Sequence, residues 1–345
     1  MSELIIHIGS HKTGTSSIQQ ACLSAEEHLM HHGVALLRHG PAANALVRVQ
    51  GRRADFRPFI ATGLADDLLR PRAPRNLLSA ECLFWLFEPE QLAPLADLAR
   101  ARFETVSVIA YLRRQDLLAV SHRKQVLHGA QAARFYGVRA TPLPDNQPYL
   151  QRYFDYATKL ADLWGGAFGI ENVHPAVYEA GRLRDGDVVE DFAARLGLDL
   201  SMRTPGRRNV ALSGNRLLVG LKLAELGAPA ELRKRIFRHL PEEGRFLPSR
   251  AEARAFLSAF EASNDRLNRL FATSARPLRF DDSFDMYPET TNTEWDNERA
   301  EQLVDAVMRG VCAHYRKVEG PQKPLRGRAV RRIASRISGL IRGAR

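Results

Sequence analysis

Residues 4–19 read LIIHIGSHKTGTSSIQ and decide the fold. An apolar run ends at Gly9, a short polar loop contains Lys12, and small hydroxyl residues open a helical stretch. A strand, a glycine-rich turn and a helix N-terminus together form an anion site, because the first-turn N–H groups lack partners inside the helix and the helix dipole is positive there. Gly14 lets the backbone approach the anion, and hydroxyl donors follow at Thr15, Ser16 and Ser17.

Strand-like and helix-like segments alternate from this point, which predicts a parallel sheet covered by helices. Further strands are predicted at 33–38, 76–81, 104–114 and 172–179. Helices are predicted at 16–32, from 89, at 116–129 with Asp116 as N-cap, at 149–168 and at 188–200. We therefore expect an α/β fold: three α/β/α layers around a parallel sheet of about five strands.

The remaining segments are predicted to be a loop and a helical C-terminal part. Residues 129–148 are rich in Gly and Pro, which favours a long surface loop of the kind that binds substrates. Beyond about residue 205, apolar residues recur at three- and four-residue spacing. This spacing predicts helices at 214–226, 251–271 and about 295–315.

Composition is typical of an ordinary globular protein with a basic tail. No apolar run approaches the roughly 20 residues of a membrane span, and the N-terminus does not resemble a signal peptide. Three cysteines without a CxxC pair suit a reducing compartment, so we expect a cytoplasmic protein. Residues 322–345 carry eight positive charges and no acid, so only +3 of the net charge of +11 belongs to the rest.

The tail has helical spacing of its own. Val330, Ile333, Ile337 and Ile341 recur on one face with arginines on the other, so the tail is either a basic amphipathic helix on an anionic membrane surface or a disordered segment. Gly339 and Gly343 weaken the helix and favour the disordered alternative.

The position of the lysine distinguishes this loop from that of an ATPase. In the GxxxxGK[ST] motif the lysine follows the second glycine, whereas here Thr15 follows Gly14 and Lys12 lies inside the loop. If the loop holds a 5′-phosphate, Lys12 can reach the bridging oxygen to the next group, where charge develops as that group is transferred.

IHIGSHKTGTSSIQ resembles the 5′-phosphosulfate-binding loop of sulfotransferases that use 3′-phosphoadenosine 5′-phosphosulfate (PAPS), particularly the bacterial polysaccharide-type branch. The family also has an arginine at a strand end and a serine eight residues later, which bind the 3′-phosphate; YLRRQDLLAVS supplies Arg113 and Ser121. The likeness covers roughly residues 4–200. It implies a P-loop NTPase-like sulfotransferase fold with PAPS as co-substrate, 3′-phosphoadenosine 5′-phosphate (PAP) as product and no metal. The implied donor contacts are Ser10, His11, Lys12, Thr13, Gly14, Thr15, Ser16, Ser17, Arg113 and Ser121.

Sulfuryl transfer also needs a base that takes the proton of the acceptor. Glu81 follows the strand at 76–81, at the edge where open α/β sheets bind ligands, and is the first candidate; a strand-end cap or an ion pair to Lys12 is its structural alternative. His39, just after the second strand, is the second candidate. Lys12 is expected to stabilise the leaving oxygen.

The resemblance implies a sulfotransferase domain at 1–280, an acidic connector and helix at 281–320, and the tail at 321–345. The family branch suggests a glycan or glycolipid acceptor, with possible peripheral contact of 322–345 at the inner membrane face. The alternatives are a P-loop kinase or NTPase, and a non-enzymatic protein that binds a membrane surface or nucleic acid through its tail. No nucleic-acid module is recognised, so we expect no nucleic-acid partner.

Overall fold

The computed structural model describes residues 2–127, 130–145, 147–198, 213–273, 277–291 and 297–319. The chain divides into two units, which are 1–211 with 247–292, and 212–246 with 293–345. These boundaries differ from the division expected at residue 280, because 212–246 groups with the last helix and 281–292 with the first unit. The tail, 320–345, lies outside the described residues.

Within the described residues the first unit contains a five-stranded parallel sheet and a two-stranded antiparallel hairpin. The sheet order is β2-β5-β1-β6-β7 and the hairpin is β3-β4. The strands are β1 Glu3–Gly9, β2 Val34–Leu37, β3 Val47–Gln50, β4 Arg57–Ile60, β5 Arg75–Ser79, β6 Thr105–Leu112 and β7 Val173–Val177. The predicted α/β class with about five parallel strands is confirmed, whereas the hairpin was not predicted.

Helices cover both faces of the sheet. In the first unit they are α1 Thr15–Ser24, α2 Glu26–His31, α3 Thr62–Leu68, α4 Pro89–Arg102, α5 Gln115–Arg123, α6 Ala130–Tyr136, α7 Pro148–Phe154, a π-helical segment Thr158–Trp164, α8 Gly165–Phe168, α9 Val188–Arg195, α12 Arg250–Ser258 and α13 Glu261–Phe271. One core joins alternate sheet residues such as Ile5 and Ile109 to α1, α2 and α9. On the other face α4 packs on β6, and the π-helical segment packs on β7.

Four predictions differ from the structure. The loop expected at 129–148 contains α6, whose Phe135 and Tyr136 are buried in an aromatic cluster that no local glycine or proline pattern reveals. The helix expected at 16–32 is interrupted at Ala25, and the one at 149–168 at Asp155. Asp116 is not an N-cap, because α5 begins one residue earlier and the Asp116 carboxylate is paired with Arg114.

The second unit is helical in its described part. It contains α10 Gly214–Glu225, α11 Ala230–Phe237 and α14 Asn297–Glu319. Helices α10 and α14 lie close to the spans predicted at 214–226 and about 295–315, whereas α11 was not predicted. Its core joins residues such as Val219, Ile236 and Val307. Gly310 lets α14 approach α11 closely, since a Cβ there would lie 2.5 Å from the Ile236 Cα. No helix in the described ranges is long and apolar enough to cross a membrane.

The sheet order places a crevice between β1 and β6. The chain leaves β1 toward β2 on one side and leaves β6 toward β7 on the other. In open α/β sheets, ligands bind outside the carboxyl ends of strands at such a reversal. The predicted loop after β1 and Arg113 after β6 lie at this position.

Candidate active site

The loop after β1 turns at two residues in the left-handed region. Lys12 has φ 63° and Gly14 has φ 76°. This conformation is costly for a lysine because its Cβ crowds the backbone, and residues held in it cluster at functional sites. Gly14 is required for a second reason, since a Cβ there would lie 2.6 Å from the Val188 Cγ1.

The loop presents a series of unpaired amide groups. Ser10 N–H donates to the Tyr111 carbonyl at 2.7 Å, and Ser17 N–H donates to the Gly14 carbonyl at 2.9 Å. Between them, the N–H groups of residues 11–16 have no acceptor among the described residues, and no side chain caps α1. Successive free N–H groups at a helix start form a concave site for an anion.

The loop hydroxyls divide into two groups. Thr13 and Thr15 donate from Oγ1 to the Ser10 carbonyl at 2.7 and 3.2 Å, and the Ser10 hydroxyl donates to the His11 carbonyl at 3.4 Å. These three buried side chains brace the loop. Ser16 and Ser17 are exposed in the first turn of α1 and remain free to donate to a ligand.

Arg113 brings the second predicted phosphate contact to the loop. Its Nη1 donates to the Lys12 carbonyl at 3.4 Å, while its own carbonyl accepts from the Tyr156 hydroxyl at 2.6 Å. Ser121, the predicted partner of Arg113, lies half-buried on α5. The two predicted phosphate-binding segments, the loop after β1 and the residues after β6, therefore lie beside each other at the carboxyl edge of the sheet.

A third cation, which the sequence did not single out, lies near the first two. Burial and the positive charges of Lys12 and Arg113 lower the pKa of Lys124. Burial likewise lowers the pKa of Lys12, and the Arg113 charge adds to this effect. Lys124 follows Ser121 by three residues, a spacing that brings side chains to the same helix face. This spacing is the sequence pattern from which Lys124 could have been predicted as a site residue.

Glu81 is the acidic member of the site. It begins a 3₁₀ turn after β5, and its Cβ would lie 3.3 Å from a Cβ at Gly9. Burial raises the pKa of the Glu81 carboxyl, and the Lys12 charge opposes the rise. In turn, the Glu81 charge raises the pKa of Lys12, so the structure brings this predicted base and lysine together.

A buried lysine holds the turn that carries Glu81. Lys159 donates from Nζ to the carbonyls of Phe84 and Leu86 at 3.0 and 2.8 Å. Its ammonium also lies 4.5 Å from the centre of the Phe87 ring. Burial lowers the pKa of Lys159 to about 7. The structure thus fixes the Glu81 turn from beneath by bonds to main-chain oxygens.

His11 faces the interior. Its Nδ1 lies 2.8 Å from the Tyr153 hydroxyl, and its ring stacks on His122 at 4.4 Å. His122 Nδ1 lies 3.0 Å from the Tyr136 hydroxyl and 3.2 Å from that of Tyr153. Burial lowers the pKa of His11 to about 3, so this histidine is neutral at pH 7. Its side chain ties the loop to α5 and α7, so that only its main-chain amide is available to the predicted anion site.

His39 is exposed. It lines an open groove of about 790 Å³ beside the β3-β4 hairpin, hereafter the hairpin groove. The groove lining also includes Asn44, Arg48, Cys82, Gln131 and Arg134, together with four aliphatic side chains.

The described residues contain no group of three His, Cys, Asp or Glu side chains arranged to hold a metal ion. Cys22, Cys82 and Cys312 are free thiols.

Comparisons with known proteins are sparse. No protein-family model matches the chain. An uncharacterized protein of Archaeoglobus fulgidus is 26% identical over 228 residues, which cover 60% of this chain and 59% of that protein. The chain therefore matches about three fifths of that relative's length. The crystal structure of a sulfotransferase from Alicyclobacillus acidocaldarius aligns with 79% of this chain and 97% of its own, with a TM-score of 0.41 and 16% identity.

Proposed function

We propose that this protein is a sulfotransferase that moves the sulfuryl group of PAPS to an acceptor hydroxyl. One observation carries the proposal: Lys12 and Arg113 follow adjacent strands at the switch point, and Arg113 Nη1 donates at 3.4 Å to the Lys12 carbonyl of a loop with unpaired N–H groups. Such a site suits a ligand with two separate anionic groups. The position of Lys12 inside the loop favours a phosphosulfate over a nucleoside triphosphate.

The donor contacts follow from this arrangement. The amides of residues 11–16 and the exposed Ser16 and Ser17 hydroxyls would hold the 5′-phosphosulfate, with Lys12 beside its bridging oxygen. Arg113 and Ser121 would hold the 3′-phosphate, with the guanidinium supplying charge-assisted donors. Lys124 adds positive charge to the same region. The clustered cations would supply the electrostatic stabilisation without a metal ion.

Glu81 is assigned as the general base. Its carboxylate accepts the acceptor's hydroxyl proton while the acceptor oxygen forms a bond to sulfur. The bond between sulfur and the bridging oxygen breaks, and its electron pair stays on the 5′-phosphate of the leaving PAP. Lys12 stabilises the charge that develops on this oxygen. Because burial raises the Glu81 pKa, the carboxylate is a stronger base than an exposed one.

The acceptor is proposed to be a carbohydrate or glycolipid hydroxyl. His39, on the hairpin groove, is then assigned to the acceptor side rather than to the base. The basic tail would bring the enzyme to the inner membrane face when the acceptor is lipid-linked.

Incubation with ³⁵S-labelled PAPS and a panel of glycans and glycolipids tests this function. We expect label transfer that is lost in Lys12→Ala and retained in the matched control Lys234→Ala, which removes an exposed lysine of α11. Full activity of Lys12→Ala would refute the assigned mechanism. Absence of transfer to every acceptor, together with absence of PAP binding, would refute the function.

A further inference from the structure

The hairpin groove carries positive charge without acidic residues in its lining. Arg48 and Arg134 line it together with His39, and none of its lining residues is Asp or Glu. The Arg48 side chain is exposed and makes no ion pair or hydrogen bond within the described residues. Arg134 donates from Nη1 to the Val49 carbonyl at 2.8 Å, which places its guanidinium beside the strand that carries Arg48. Neither cation is neutralised by an acidic partner in the described part of the chain.

The groove lies next to the assigned base. Cys82 lines it and follows Glu81 directly in the turn after β5. The Glu81 charge raises the pKa of both the Cys82 thiol and the Lys12 ammonium, so the carboxylate lies near both side chains. The Cys82 amide donates to the Asn44 Oδ1 at 3.4 Å, which attaches the groove wall to the Glu81 turn.

We propose that the hairpin groove is the acceptor site and that it takes an acidic saccharide, whose carboxylate or sulfate groups pair with Arg48 and Arg134. This inference rests on the proposed sulfotransferase function, because it assigns the substrate of the same Glu81. A hydroxyl of the bound sugar then lies toward Glu81, and its acidic groups lie toward the hairpin.

The lining chemistry favours a sugar over a simpler anion. Asn44 and Gln131 supply amide groups, and aliphatic residues such as Val47 and Leu64 supply surface for the C–H faces of sugar rings. A volume of about 790 Å³ falls within the usual 300–1,000 Å³ range of ligand pockets. Two exposed arginines that lack acidic partners are available to pair with ligand charge, and planar guanidinium groups bind carboxylates and sulfates in a bidentate manner.

The experiment measures saccharide binding by titration calorimetry to the full chain saturated with PAP. The probes are hexasaccharides of chondroitin, heparosan and alginate, each paired with its carboxyl-reduced counterpart, which keeps the hydroxyls and removes the charge. The variants are Arg48→Gln and Arg48→Glu. Arg57→Gln is the matched control, because Arg57 is an exposed arginine of the same hairpin and does not line the groove.

We expect at least one acidic probe to bind and its carboxyl-reduced form to bind more weakly by about tenfold or more. Arg48→Gln should weaken binding of the acidic probe by about tenfold, Arg48→Glu should weaken it further, and Arg57→Gln should leave it unchanged. PAP affinity should be the same in all four proteins.

Three results would overturn the inference: no acidic probe binds, the reduced probes bind equally well, or Arg57→Gln weakens binding as much as Arg48→Gln. If PAP binds normally in these cases, the acceptor assignment fails and the sulfotransferase function stands. If PAP itself does not bind, the proposed function fails first.

Discussion

Arg113 and Arg114 follow the same strand one residue apart, yet they belong to two differently constructed polar regions. Arg113 lies in the loop region, which we define as residues 10–17 with Glu81, Arg113 and Lys124. Arg114 belongs to a network with Asp116, Tyr287 and the carbonyls of Asp281 and Ser283. In the Arg114 network, Nε and Nη2 bind both oxygens of Asp116, and Nη1 binds the two carbonyls at 2.6 and 2.7 Å.

The difference between the two regions lies in how completely their polar groups are satisfied. The donors of the Arg114 guanidinium are directed at protein acceptors, and the buried Asp116 carboxylate accepts from both Arg114 and Tyr287. The loop region instead keeps a run of unpaired amides, and its lysines and Arg113 outnumber its single carboxylate. Buried polar groups are normally paired, so an unsatisfied region indicates a ligand site and a satisfied one indicates a structural role.

The largest expected effect is on kcat and comes from replacing Glu81, the assigned base in the loop region. Glu81→Gln should lower kcat by about 10²- to 10⁴-fold, because proton removal by a positioned base contributes that much. PAP affinity should change little, which calorimetry can establish beside the steady-state kinetics. Gln is nearly isosteric, so an unchanged kcat would remove Glu81 from the mechanism.

The pH dependence follows from the sign of the Glu81 pKa shift. Burial raises this pKa, so the ionised and active form appears only above the ordinary glutamate value, and the acidic limb of kcat/KM should lie above about pH 4.3. The fold also loses stability as pH rises through the same interval, since the native state holds the proton more tightly. Glu81→Gln should therefore be at least as stable as the parent protein at pH 7, as measured by urea denaturation.

The next largest effect belongs to the Arg114 network. Arg114→Ala leaves the Asp116 carboxylate buried without its cation and should lower the free energy of unfolding by about 3–5 kcal/mol. Arg114→Leu combined with Asp116→Leu removes both charges and should recover part of this loss. Denaturant titration checks both values. A large loss of PAP affinity in a fully folded Arg114 variant would contradict the division between the two regions.

Arg113→Ala should weaken PAP binding and leave the stability of the fold almost unchanged. Its effect should be smaller than the loss of stability in Arg114→Ala. Loss of its charge-assisted bonds should weaken PAP binding by about 1.5–3 kcal/mol, roughly ten- to a hundredfold. The free energy of unfolding should fall by less than about 1 kcal/mol, because within the described residues the side chain makes only one long hydrogen bond. The binding of adenosine 5′-phosphosulfate, which lacks the 3′-phosphate, is the control and should be unaffected by the substitution.

The smallest effect concerns backbone strain at Lys12. Lys12→Gly and Lys12→Ala both remove the cation, but only glycine adopts φ 63° without a Cβ clash. The glycine variant should be more stable than the alanine variant by about 1 kcal/mol, while both lose activity. Thermal denaturation gives the difference. Equal stability of the two variants would show that the loop does not hold this conformation in solution.

Local sequence patterns were sufficient to predict the sheet and the loop. The strand-turn-helix pattern of residues 4–19 and the alternation that follows correspond to strands β1, β2, β5, β6 and β7. These patterns are local, since buried strands and helix starts depend on neighbouring residues. Gly14, Lys12 and the place of Arg113 just after a strand could therefore be predicted from the sequence alone.

Features that depend on tertiary contacts were not predictable. The hairpin at 47–60 has no clear strand signal in the sequence, and it forms one wall of the groove, which no sequence pattern indicates. The inward orientation of His11 depends on Tyr153 and His122, which are more than 100 residues away along the chain. Whether an arginine is structural or free, as with Arg114 and Arg113, depends on the acceptors that the fold brings to it.

One measurement tests the central claim most directly: titration calorimetry of the full chain with PAP and, separately, with ATP and Mg²⁺. The loop region, with Lys12 before the second glycine and Arg113 beside it, should bind PAP at least tenfold more tightly than ATP, since it offers a site for a 3′-phosphate. Arg113→Ala should abolish the preference. Equal or tighter binding of ATP with Mg²⁺ would contradict the account and favour a P-loop kinase or NTPase.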